Sequence, residues 1–229
     1  MKEVVKKIVS VALCVLIVTS VAVINITASA AEEKSYKMGL VDFDAVLSGT
    51  DMKAKNYQKM EKYISDANKE NDDIVVFPEY SLTSTKGDAV NVKKDTYVKD
   101  IAKLADDDDM YILFGATTKE DSKYYSSIVI CDPEGNVDTY DKTHLTDTEY
   151  KEGFSVGDTP YVLKTSFGTF GLALGNEFGE VAELGKYYYG YSCNGVIVCQ
   201  AYGYDTSDSK ALSQAEYDMY TQTYAYARM

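Results

Sequence analysis

Glu79 and Lys142 are the two side chains in this sequence best placed to handle a proton and a developing negative charge. Glu79 follows Ile74-Val75-Val76-Phe77-Pro78, a continuous apolar run of strand length, which reads as a strand buried on both faces. The carboxylate therefore falls at the strand's C-terminal end, where ligand sites of α/β sheets gather, and Pro78 ends the ladder there. A carboxylate at the rim of an apolar strand is partly desolvated, which raises its pKa toward the range of a general base. A surface turn acid is the alternative that spacing leaves open. Lys142 lies in Tyr140-Asp141-Lys142-Thr143-His144-Leu145, just after an expected hairpin strand. A fixed ammonium there can stabilise an oxyanion; taken alone, the segment reads rather as one with an exposed lysine.

Other chemistries are excluded by scarcity. His144 is the only histidine, so a Ser-His-Asp triad would have to use it and multi-His zinc sites are ruled out. Asp106 to Asp109 form a run of acids, but no second acidic cluster at metal-loop spacing accompanies it, so a solvated loop or helix end is expected. No metal or cofactor is expected. Of the four cysteines, Cys14 lies in the apolar N-terminal stretch and Cys131, Cys193 and Cys199 follow it. An odd number in an exported chain leaves a thiol unpaired. Cys199, inside Gly195-Val196-Ile197-Val198-Cys199, reads as a small buried hydrophobe, and a Cys193–Cys199 bridge stays open.

The elements that must position Glu79 and Lys142 follow from patterning. Lys2, Lys6 and Lys7, the apolar stretch 8–26 and Ala28-Ser29-Ala30 have the order of a cleaved signal peptide over residues 1–30. The competing reading is a membrane-spanning helix, since about 19 apolar residues suffice to span. Cleavage predicts a secreted domain over 31–229 with no stable membrane anchor. Without residues 1–30 the chain keeps 20 basic and 35 acidic side chains, a net charge of −15, which argues against nucleic acid and anionic membrane surfaces as partners. Strands are expected at 38–41, 73–77, 110–117, 124–131, 137–140, 169–174 and 195–200. Helices are expected at 51–71, 91–104, 180–189 and 209–228. This alternation is an α/β pattern. The cluster Tyr187-Tyr188-Tyr189-Gly190-Tyr191 reads as rings packed on a sheet or at an interface.

Four segments occur in a fixed order: Val75-Val76-Phe77-Pro78-Glu79; Tyr125 to Gly135; Tyr140-Asp141-Lys142-Thr143-His144-Leu145; and Thr165-Ser166-Phe167-Gly168-Thr169-Phe170-Gly171-Leu172-Ala173-Leu174-Gly175-Asn176-Glu177. Together they resemble the carbon–nitrogen hydrolase (nitrilase) superfamily from about residue 36 to 228. The leader and the wording of 165–171 look most like its secreted vanin/biotinidase branch.

That resemblance implies a four-layer α-β-β-α sandwich and an amidase-like site. Glu79 matches the general base, and Lys142 matches the lysine that stabilises the tetrahedral intermediate. Glu152 best matches the second glutamate, with Glu149 as runner-up. His144 matches a mainly structural position. The nucleophile, a cysteine in the superfamily, falls on Gly175, and Glu177 falls on the acidic residue two places later. Glycine has no side chain to form an acyl intermediate, and neither Cys131 nor Cys193 lies at a strand end beside Glu79 in this topology.

The family also continues past the last expected helix with further strands, so the sandwich is expected to lack its C-terminal strands. A secreted hydrolase-like domain for a small non-peptide amide, with activity lost or severely reduced, is the expected function. A non-catalytic extracellular protein that binds ligands in the same pocket is the alternative, and an unrelated α/β domain a third. The family's habit of pairing through helices implies a homodimer.

Overall fold

The structure is a computed structural model, and it describes residues 35–201. The expected leader over 1–30 and the expected helix over 209–228 lie outside the described residues. The first sheet contains β1 (Met38–Leu40), β2 (Ile74–Val76), β3 (Tyr111–Glu120), β4 (Lys123–Cys131) and β5 (Val137–Asp141), in that order. β1, β2 and β3 run parallel, whereas β4 and β5 are added antiparallel. The second sheet holds β6 (Val162–Lys164), β7 (Thr169–Leu174) and β8 (Gly195–Cys199), with β7 parallel to β8 and antiparallel to β6.

Alternation along β2 assigns the two faces of the first sheet. Val75 and Phe77 turn toward helices α1 (Met52–Glu70) and α2 (Thr96–Asp107), meeting Met60, Ile64, Val98 and Ile101. Ile74 and Val76 turn the other way and join Leu113, Ile128, Ile130 and Tyr140 against Leu163, Phe170, Leu172, Leu174, Ile197 and Cys199 of the second sheet. On the outer side of that sheet, α5 (Ala182–Gly190) buries Leu184 and Tyr188, and the Tyr188 hydroxyl donates to the Leu172 carbonyl. Two apolar interlayers and this outer helix make the expected α-β-β-α order.

Several expected elements shift for local reasons. The buried face of α1 is Asn56, Met60, Ile64 and Ala67, whereas Tyr63 is exposed. Asn56 is inside because its amide is consumed: Oδ1 accepts from Val46 N at 2.7 Å, and Nδ2 donates to Val46 O and Leu82 O at 3.1 and 3.2 Å. α2 starts at Thr96, not at 91, because Asp95 caps it, accepting from Tyr97 N and Val98 N. The strand β6 and the short helices α3 (Asp147–Lys151) and α4 (Glu177–Glu180) are too short to leave a periodic signal.

Candidate active site

Each side chain of the site is delivered by the end of an element. The chain leaves β2 through Phe77 and Pro78 and crosses β3 at Gly115, whose N–H donates to Pro78 O at 3.2 Å. A Cβ on Gly115 would stand 2.5 Å from Glu79 Cα and 2.6 Å from Pro78 O, so only glycine admits this crossing. Glu79 ends 6% exposed, with Oε1 accepting from Ser126 Oγ at 3.4 Å. Tyr80, next in the chain, holds φ 61°, a left-handed conformation that a tyrosine rarely adopts. Its hydroxyl donates to Glu149 Oε1 at 3.2 Å.

Lys142 is the first residue after β5. Its N–H donates to Ser126 O and its carbonyl accepts from Gly157 N, both at 2.8 Å, so the backbone is clamped from both sides. The ammonium is 2% exposed and donates to Glu149 Oε1 at 2.9 Å and to Glu79 Oε1 at 3.4 Å. Burial pushes the Glu79 carboxyl above the ordinary carboxylate range, and the Lys142 charge offsets only part of this. Burial works to lower the Lys142 pKa, but the carboxylates of Glu79 and Glu149 outweigh it, so the ammonium form is held more firmly than usual. Burial also works to raise Glu149, yet hydrogen bonds from Thr146 and Lys142 bring it below the ordinary value.

Glu149 therefore occupies the place that the sequence assigned to Glu152. It sits at the third position of α3 in a reciprocal cap: its N–H donates to Thr146 Oγ1, and its Oε2 accepts from Thr146 N at 2.7 Å. The cap turns the carboxylate back over the helix start, so Oε1 reaches Lys142. Glu152 comes after the last turn of α3, is exposed, and contributes its carbonyl to Lys86 Nζ. The Thr146-x-x-Glu149 pattern is itself a capping signature, and it was the signal that could have preferred Glu149.

Gly175 is the first residue past β7, with φ +58°. A Cβ built there would lie 2.9 Å from both Glu79 Oε2 and Lys142 Nζ. Glu79, Lys142 and Gly175 therefore meet at one point, although they come from three separate strand ends. The Gly175 N–H donates to Cys199 O at 2.8 Å across the β7–β8 pair. Cys199 is thus the cysteine whose strand end borders Gly175. Its thiol is buried and unbridged, and burial followed by the Glu79 charge pushes its pKa up. Cys131 is buried in the helix-side core, where burial pushes its thiol up to about 12, and Cys193 is unbridged past α5.

Glu177, fully buried, ties the lysine segment to the end of β7. Its Oε1 accepts from Thr143 N, Thr143 Oγ1 and His144 N at 2.7 to 2.9 Å; its Oε2 accepts from Tyr140 Oη and Leu174 N at 2.8 and 2.9 Å. The His144 ring itself is half exposed. The sequence placed Glu177 beside the site without a partner; these contacts supply five.

This arrangement puts two buried carboxylates and a buried ammonium around a position with no side chain. The family model described as carbon–nitrogen hydrolase matches residues 48–220. A nitrilase from Pyrococcus abyssi is 32% identical over 111 residues, a stretch that takes in 44% of this chain and 40% of that protein. Among solved structures, the amidase of Nesterenkonia sp. AN1 in a cysteine-to-alanine form aligns with TM-score 0.65 at 16% identity, over 77% of this chain and 69% of that one. A carbon–nitrogen hydrolase from Helicobacter pylori G27 aligns with TM-score 0.65 at 18% identity, over 80% and 66%. The glutamine-dependent NAD+ synthetase of Acinetobacter baumannii aligns with TM-score 0.62 at 21% identity, over 75% of this chain but only 33% of that protein. The matched stretch is thus less than half the length of the nitrilase and about a third of the synthetase.

Proposed function

Because the chain belongs to the carbon–nitrogen hydrolase family, we propose that its site binds a small non-peptide amide and that Gly175 stands where the attacking cysteine of such a site would stand. Glu79 is the base, Lys142 faces the amide oxygen, and Glu149 orients Lys142. The reading rests on one observation above all: Glu79 Oε2 and Lys142 Nζ both lie 2.9 Å from the position that a Cβ of residue 175 would take. An acceptor and a cationic donor side by side match the N–H and C=O of a carboxamide. Residue 175 itself forms no acyl intermediate in this reading, because glycine has no side chain to carry the acyl group.

The solved relatives give this reading a precedent in kind. The Nesterenkonia amidase with its cysteine changed to alanine is in complex with butyramide, and a further variant is in complex with acrylamide. The leader-like residues 1–30 and the wording of 165–171 favour a secreted member of the vanin/biotinidase type, acting outside the cell. N-terminal sequencing of the exported protein tests this, and a chain that begins at Met1 refutes it.

Titration calorimetry with butyramide tests the site. Binding that weakens at least tenfold in Lys142→Met supports the reading; no binding by the native chain refutes it. Gly175→Cys then separates two histories. Amide turnover restored by the cysteine identifies a hydrolase that lost its nucleophile. Unchanged binding without turnover identifies an extracellular amide-binding protein.

A further inference from the structure

We infer that Tyr80 is a positioning residue: its hydroxyl, acting through Glu149, sets where the Lys142 ammonium stands beside residue 175. The inference rests on the amide site proposed above and goes beyond it, by naming what holds that site's cationic donor in register. Tyr80 has φ 61°. The other described non-glycine residues with positive φ are Asp51, Asn71, Asp109, Asp121 and Ser192, mostly the short Asp and Asn side chains that tolerate this conformation. A large ring is held there only where its surroundings over-determine it. Gly115 supplies that constraint. Its N–H meets Pro78 O at 3.2 Å and Ser81 Oγ at 3.1 Å, and its carbonyl accepts from Leu82 N at 3.0 Å and Ser81 Oγ at 3.2 Å. One residue of β3 thus pins the chain before and after Tyr80 and leaves 79 and 80 to make the turn.

In an extended chain, neighbouring side chains point to opposite sides. The left-handed residue breaks this alternation, so Glu79 and Tyr80 both serve one ammonium. Glu79 Oε1 accepts from Lys142 Nζ at 3.4 Å. Tyr80 Oη donates at 3.2 Å to Glu149 Oε1, the oxygen that accepts from Lys142 Nζ at 2.9 Å. Glu149 Oε2 is occupied by Thr146 N and Thr146 Oγ1 at 2.7 and 2.9 Å. A carboxylate has about four acceptor sites, so four donors fix its rotation rather than the lysine alone. Burial, then the charges of Glu79 and Glu149, push the Tyr80 pKa up, so the phenol keeps its proton and acts as the donor. Without that hydroxyl, Oε1 keeps only Lys142. The carboxylate can then swing about its Thr146 cap and carry the ammonium away from residue 175.

The test compares the native chain with Tyr80→Phe, Glu149→Gln and the double variant. Calorimetry gives butyramide affinity, and NMR follows the titration of the Glu149 carboxyl carbon, its resonance assigned by its loss in Glu149→Gln. In Tyr80→Phe, Glu149 should titrate at higher pH, because its charged form has lost a donor. Affinity should fall roughly fivefold. In the Glu149→Gln background the same change should cost less than about twofold, because its target is already altered. An unmoved Glu149 titration overturns the inference even if affinity falls, since the tyrosine then acts on packing alone. Unchanged affinity in Tyr80→Phe, or an equal loss in both backgrounds, overturns it as well. If Tyr80→Phe does not fold, Tyr80→Asn, which suits the left-handed turn but is too short to stand in for the phenol, must show the same pattern. A native chain that binds no butyramide removes the amide reading and leaves the titration to decide: an upward shift keeps Tyr80 in its role, and no shift ends it.

Discussion

Glu177 accepts hydrogen bonds from both the N–H and the hydroxyl of Thr143, at 2.7 and 2.9 Å. Thr143 follows Lys142 directly, and Glu177 lies two residues past Gly175, so one carboxylate fixes how the two strand ends face each other. It is fully buried, and its remaining contacts come from His144 N, Tyr140 Oη and Leu174 N.

Glu177→Gln therefore turns an acceptor-only group into one that presents N–H to buried donors. A loss of about 3 kcal/mol is expected from groups left unpaired, read from urea denaturation. Butyramide affinity should fall with it, because Lys142 loses its register with residue 175. A stable variant with native affinity would show that the tie has no bearing on the site.

Glu149 and Glu152 should separate cleanly. Glu149→Gln leaves one acceptor oxygen where two are used, so the side chain keeps either its Thr146 cap or its Lys142 contact but not both; about 1 kcal/mol of stability should be lost, together with amide affinity. Glu152→Gln changes an exposed side chain and should stay within about 0.5 kcal/mol. Thermal melts and calorimetry on the pair decide which glutamate belongs to the site.

Gly175→Ala tests the backbone. At φ +58° a Cβ adds about 1–2 kcal/mol of strain, and it also meets Glu79 and Lys142 at 2.9 Å. Both neighbours are the far ends of side chains and can retreat. Stability should fall by no more than the strain figure, as measured by chemical denaturation. Gly115→Ala should be worse, about 3 kcal/mol, because its Cβ meets backbone at 2.5 and 2.6 Å.

Glu79 sets a pH dependence of defined sign. Its pKa in the fold lies above the ordinary 4.5, so the folded state holds a proton that the unfolded chain has released. Stability from this group is lost as pH rises from about 4.5 through the folded value. Glu149, shifted downward, acts in the opposite sense, and its contribution is lost as pH falls below 4.5. Urea midpoints collected from pH 4 to 8 should show Glu79→Gln gaining on the native chain with rising pH; parallel curves would contradict the burial argument.

Some of this was legible before any coordinates. An apolar run closed by Pro78-Glu79 announces a strand with a carboxylate at its exit, because strand burial and proline's missing N–H act locally. The cap that selects Glu149 was equally local, written in Thr146 and three positions on, yet family resemblance drew attention to Glu152. The meeting of Glu79, Lys142 and Gly175 was readable only through that resemblance, since no local pattern tells three strand ends to converge. Glu177's five contacts were beyond reach, because they depend on how two sheets stack. Cys199 looked like plain core filler, and only the pairing of β7 with β8 shows whose neighbour it is.

Gly115 gives the site a history-proof foundation. The near contact it permits is between main chains, so the carboxylate at position 79 is aimed by scaffolding rather than by whatever reacts in front of it. That aim does not depend on the side chain at position 175. A substitution at 175 changes only what stands between the carboxylate and the ammonium, while the same kind of change at 115 dismantles the platform itself.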